Sequence, residues 1–88
     1  MENAVIVKQD DSVVTVIEAV TKGGTVTYTG CKQPISARQD IPIYHKIAIK
    51  AVKKGDFIIR YGEKIGIATT DISPGDHVHV HNVSSVRA

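Results

Sequence analysis

Valine and isoleucine recur along this chain in short runs that alternate with polar residues, and the runs are punctuated by Gly, Pro and Asp. Alternation at period 2 sends every second side chain to one face, as in a half-buried strand. The pattern predicts strands over residues 3–8, 12–18, 24–29, 44–51, 56–61, 64–69 and 76–83. No run of ten or more residues carries a helical stripe, so helix is expected at most as a short turn over residues 34–39. Between 29 and 40 the composition shifts to Gly, Cys, Lys, Gln, Pro, Ser and Arg, which reads as one long loop of a length often tied to function.

One turn pattern occurs three times, as Ala19-Val-Thr-Lys-Gly-Gly-Thr-Val26, Ala51-Val-Lys-Lys-Gly-Asp-Phe-Ile58 and Asp71-Ile-Ser-Pro-Gly-Asp-His-Val78. Gly23, Gly55 and Gly75 suit a position of positive φ, Pro74 pre-sets its turn, and Asp56 or Asp76 can accept from nearby backbone donors. Common turn chemistry is favoured over internal duplication, because the copies are unevenly spaced. Tyr61-Gly-Glu-Lys-Ile65 adds a tight hairpin between the strands at 56–61 and 64–69. The fold class expected is mostly β: one small domain of short strands, folded over itself, with a long loop.

At 88 residues the chain buries only about 60% of its unfolded surface, so the core is thin. Eleven basic and nine acidic residues give a net charge of +2, without the single-sign field of a nucleic-acid binder. One Phe, three Tyr and no Trp make a poor base-stacking platform. No apolar run approaches the roughly 18 residues of a membrane span. Cys31 stands alone and no apolar leader is seen, which points to a soluble protein of a reducing cytoplasm.

Chemistry concentrates in the histidines. In His77-Val78-His79-Val80-His81-Asn82 a strand would put the three imidazoles on one face and both valines toward the core. Imidazoles at i and i+2 can reach a common ion or anion; the plainer alternative is a solvated polar face. Asn82 can orient a ligand or cap a turn. His45 shares parity with Ile43, Ile47 and Ile49, so it reads as a core histidine satisfied by backbone, or else as a half-buried group set for proton transfer. Lys46, Lys50, Lys53 and Lys54 read as a solvated face, Glu63 and Asp76 as turn or surface carboxylates, and Cys31 has no partner that would make it a nucleophile.

Over about residues 3–83 the chain resembles the SAF domain of the altronate/galactarate dehydratase family. The matching parts are Asp40-Ile-Pro42, His45-Lys-Ile-Ala48, Gly55-Asp56, Ile59-Arg-Tyr-Gly-Glu63 with Ile65-Gly66 and Ala68, and Gly75-Asp-His-Val-His-Val-His-Asn82. Tyr44 departs from the family, which typically has a small residue, commonly Gly, before the His-Lys pair. The resemblance implies a β-clip type fold and a role as the small accessory subunit of a sugar-acid hydro-lyase, inactive alone. The expected partners are a large catalytic dehydratase subunit and a sugar-acid substrate, with self-association of the isolated chain, and neither nucleic acid nor membrane. The sulfolactate sulfo-lyase small subunit is similar, so the leaving group stays open, as does a stand-alone sugar-acid or anion-binding module or a non-catalytic interaction domain. Also implied are His45 and Lys46 as the catalytic pair, His79, His81 and Asn82 against substrate, and His77 with His79 as metal ligands. The cofactor implied is a divalent iron or manganese ion, held mainly by the large subunit.

Overall fold

A computed structural model describes residues 2–85. Nine short strands run in chain order: β1 (Ala4–Val5), β2 (Val13–Val16), β3 (Thr25–Val26), β4 (Ile35–Ser36), β5 (Lys46–Ala48), β6 (Phe57–Arg60), β7 (Glu63–Ala68), β8 (His77–Val78) and β9 (Val83–Ser85). They form a four-stranded sheet of order β1-β2-β5-β8, a β3-β4 pair and a three-stranded β6-β7-β9 sheet, all antiparallel. The mostly β fold expected from the pattern is what forms.

Neighbouring residues of the central strands serve opposite faces. Val14, Val16 and Ile47 join one buried cluster with Ala4, Val20, Val26, Ala37 and Ile41, while Val13, Ala48 and Val78 join another with Val52, Ile58, Ala68 and Ile72. The four-stranded sheet therefore divides two small cores, which is why both Val13 and Val14 are buried.

Four turns are built alike. In 21–24, 42–45, 53–56 and 73–76 the fourth N–H donates to the first carbonyl at 2.8–3.0 Å, and the third residue has positive φ: Gly23 at 87°, Tyr44 at 66°, Gly55 at 91° and Gly75 at 96°. This is the signature of a type II turn, which favours glycine at the third position. Each turn then docks on a segment elsewhere in the chain in one way. The third residue's N–H donates to a carbonyl, of Ala37, Val16, Ala68 or Ala48 respectively, and that same residue's N–H donates back to the fourth residue of the turn, all at 2.8–2.9 Å. Local turn chemistry does not dictate distant partners, so the pattern seen three times in sequence is a repeated tertiary unit with a fourth copy at 42–45. In that copy Tyr44 occupies the position that glycine holds in the other three.

Three expectations are corrected. No helix occurs among the described residues, and 34–39 carries β4 instead, because Ile35 packs on the core and the Ala37 N–H is taken by Gly24. The strand expected over 76–83 breaks after Val78: the Asn82 side chain draws the chain into a turn, leaving Val80 81% exposed and starting β9 at Val83. The apolar parity expected at 43–49 starts only at Ile47, since the positive φ of Tyr44 interrupts the alternation and Ile43 is exposed. Among the confirmed elements, β6 and β7 form a hairpin in which Arg60 pairs with Glu63 across Tyr61 and Gly62, at φ 58° and 73°. Positive φ at both central residues marks a type I′ turn.

Candidate functional site

β5 and β8 pair as Ile47↔His77 and Lys46↔Val78. Carrying that register one step further brings His45 opposite His79, with His77 diagonal to His45 on the same face. The rings obey this geometry: centroids lie 4.4 Å apart for His45 and His79, and 5.1 Å for His45 and His77. His45 Nδ1 and His77 Nε2 approach to 2.9 Å and share one proton, so the two rings cannot both present N–H to each other. The donor nitrogens of His45, His77 and His79 all lie within 4.8 Å of one another. His81 is exposed and follows as an outer member, its ring 5.3 Å from that of His77.

The turn copy at 42–45 delivers His45 and the copy at 73–76 delivers His77. Asn82 then fixes His79: its Oδ1 accepts the His79 N–H at 3.0 Å and its Nδ2 donates to the His77 carbonyl at 2.8 Å. Asn82 is buried at 6% exposure, with its amide committed to backbone. Gln39 holds the other side, accepting the His77 N–H at 2.8 Å through Oε1 and donating to Asp76 Oδ1 at 3.3 Å. Sequence reasoning missed Gln39, since only its tertiary partner distinguishes it from other loop amides.

Burial lowers the His77 pKa, and the neighbouring charges of His45, His81, His79 and Lys46 lower it further. Desolvation likewise lowers His79, followed by His45, Lys46 and His81. Lys46 is half-buried rather than fully solvated, and burial, then the nearby Arg60 guanidinium, lowers its pKa. A small cavity of about 240 Å³ brings Lys46 and His79 together with Ile65, Val78, Val80 and Val83. The lowered values favour neutral imidazoles at His77 and His79, beside a cation suited to a carboxylate.

The imidazoles of His45, His77 and His79 are a donor set for a divalent transition metal, and the nitrogens are close enough to meet one ion after small ring rotations. Three protein ligands leave coordination positions for other oxygens. Cys31, half-buried and with its N–H bonded to the Tyr28 carbonyl at 3.0 Å, lies outside this group, as do all carboxylates among the described residues.

The altronate/galactarate dehydratase SAF-domain model matches residues 2–86. Altronate dehydratase of Bacillus subtilis (strain 168) is 35% identical over 85 residues, which are 97% of this chain and 17% of that protein. The (2R)-sulfolactate sulfo-lyase subunit alpha of Paracoccus pantotrophus is 49% identical over 53 residues, 60% of this chain and 79% of that subunit. Its namesake in Chromohalobacter salexigens is 37% identical over 83 residues, 89% of this chain and 88% of the subunit. The chain thus spans less than a fifth of the Bacillus dehydratase that it matches.

Proposed function

Because this chain belongs to the altronate/galactarate dehydratase SAF-domain family, we propose that it is the accessory part of a cytoplasmic sugar-acid hydro-lyase, lending its histidine face to an active site completed by a large catalytic chain. The observation that carries this reading is the convergence of His45, His77 and His79 at one accessible end of the central sheet.

Eliminating water from a sugar acid requires removal of a weakly acidic proton α to a carboxylate and protonation of the departing β-hydroxyl. His77 and His79, with His45, are the residues that would hold a divalent iron or manganese ion. Such an ion, when bound, supplies Lewis-acid stabilisation of negative charge on substrate oxygens. Lys46, a half-buried cation at the cavity, pairs with the substrate carboxylate. In this reading His45 steadies His77 through the proton they share, and the exposed His81 beside His77 passes a proton to a leaving oxygen. Asn82 serves the substrate by fixing His79 rather than by spare hydrogen bonds of its own.

A second reading follows from the two alpha-subunit relatives: the same face serves a sulfolactate sulfo-lyase. Both need an acidified carbon and a β leaving group, so this chain's residues play the same parts.

Two measurements test the proposal. Co²⁺ titration, followed by visible absorption and histidine ring NMR, is expected to show saturable binding that His77→Ala and His79→Ala abolish; an unchanged titration in these variants overturns the metal-holding role. Elimination from hexonates, hexarates and sulfolactate is expected only when a large lyase chain is supplied, and turnover by this chain alone overturns the accessory role.

A further inference from the structure

The loop at 29–40 walls a second concavity, larger than the one beside the histidines and sharing no lining residue with it. Its volume is about 930 Å³, within the roughly 300–1,000 Å³ of small-molecule sites. Ile35, Ile49 and Tyr28 form a half-buried apolar floor packed on the first core cluster. Lys32 and Arg38 of the 29–40 loop and Lys50 from beyond β5 stand around it, and no carboxylate lines it. Gln33 and Ser36 add neutral hydrogen-bonding groups. The Tyr28 hydroxyl has no hydrogen-bond partner among the described residues, and burial, then the neighbouring Cys31, raises its pKa, so it stays a donor at neutral pH.

We infer that this groove is a second binding site and that its ligand is a polyhydroxy carboxylate. Lys32 and Lys50 give this concave surface a positive potential, to which Arg38 adds while also paired with Asp76 at 3.5 Å. A tyrosine and two isoleucines offer faces for the C–H side of a sugar chain, while amides and hydroxyls meet its OH groups. The choice of a sugar acid among carboxylates rests on the dehydratase-family reading; the anionic, hydroxyl-bearing class rests on the groove itself.

The groove is wired to the histidines. Arg38 Nε lies 3.5 Å from Asp76 Oδ1, the oxygen that also accepts from Gln39, and Gln39 holds the His77 N–H. A carboxylate drawn to Arg38 competes with Asp76, so occupancy of the groove is felt at His77.

Amide NMR titration of the 88-residue chain tests this with galactarate, with galactitol as the uncharged polyol, with citrate as a carboxylate of different shape, and with sodium sulfate at matched ionic strength. Galactarate is expected to give saturable shifts at Tyr28, Gly30 and Lys32 with a smaller response at His77, whereas galactitol and sulfate do not saturate. The double variant Lys32→Glu, Lys50→Glu is expected to weaken galactarate about tenfold or more, with unchanged shifts elsewhere showing that it folds. His45→Ala is expected to leave the groove response intact, which separates this site from the histidine face. Saturation by citrate but not galactarate would overturn the sugar-acid assignment. Sulfate reproducing the shifts, an unweakened double variant, or saturable shifts confined to 77–82 would overturn the groove, leaving the histidine face to the Co²⁺ titration.

Discussion

Asp11 is the buried charge on which the hairpin end of the molecule depends, and replacing it with asparagine isolates its contribution. The carboxylate is 1% exposed and accepts three backbone N–H groups: Lys8 at 3.2 Å and Tyr61 at 3.1 Å on Oδ2, and Gly62 at 2.9 Å on Oδ1. Asparagine has the same shape but one acceptor oxygen. Placed at Oδ2 it keeps two bonds in weaker, uncharged form and turns its NH₂ against the Gly62 N–H. A hydrogen bond to a charged group contributes about 1.5–3 kcal/mol net, and a buried donor without a partner costs about 1–3 kcal/mol. The expected loss is therefore about 2–4 kcal/mol, a large part of the roughly 5–15 kcal/mol that holds a domain together. At about 4–8 °C per kcal/mol for a chain of this size, Tm falls by roughly 10–25 °C. Burial alone would raise the Asp11 pKa, but backbone donors from Gly62, Lys8, Tyr61 and Val7 outweigh it and the net shift is downward. A depressed carboxylate pKa confers stability above the unfolded value near ~3.9 and loses it as pH falls through the folded value. Urea unfolding followed by far-UV circular dichroism at neutral pH and at stepwise lower pH is the assay. A difference below about 0.5 kcal/mol at pH 7, within the ordinary range of surface substitutions, or one that does not shrink as pH is lowered below about 3.9, refutes the reasoning.

Asn82→Ala leaves the His79 N–H and the His77 carbonyl without partners, so a loss of about 2–3 kcal/mol and weaker Co²⁺ binding are expected from urea unfolding and absorption titration. Gly75→Ala places a methyl group against the Ser36 carbonyl at a φ of 96°; calorimetry is expected to show destabilisation of more than about 1–2 kcal/mol. The lowered His77 pKa means that the folded chain holds this proton less tightly than the unfolded chain, so stability is fully present above the unfolded value near ~6.5 and declines as pH falls below it. Thermal melts between about pH 7 and 5 check this sign, and the His77→Gln variant is expected to flatten the slope.

The sequence carried the strand grammar, the tight hairpin at Tyr61-Gly62 and the shared side of His77 and His79, because each depends on residues adjacent along the chain. Val80 and the break before Val83 were not legible, since the alternation runs on while the Asn82 amide bends the backbone beneath it. β4 was hidden for a related reason: Gly, Pro and Ser around Ile35 read as loop, and only pairing with β3 makes the segment a strand. The roles of Asp11 and Gln39 in the fold were hidden because they depend on Tyr61 and His77, 50 and 38 residues away. The parity argument for His45 failed at Tyr44, where the docked turn resets which side each residue faces.

The four docked turns also determine how this molecule opens. Each surrenders its third amide proton to a carbonyl elsewhere in the chain, and the residue bearing that carbonyl returns its own amide proton. Such doubly latched amides are not freed by fraying at an end or by one loop lifting away; they exchange with deuterated solvent when the domain opens as a whole. Gly23, Tyr44, Gly55 and Gly75 are thus expected to form one slow-exchanging set. Through the latches at Tyr44 and Gly75, the segments bearing His45 and His77 assemble and come apart together with the fold.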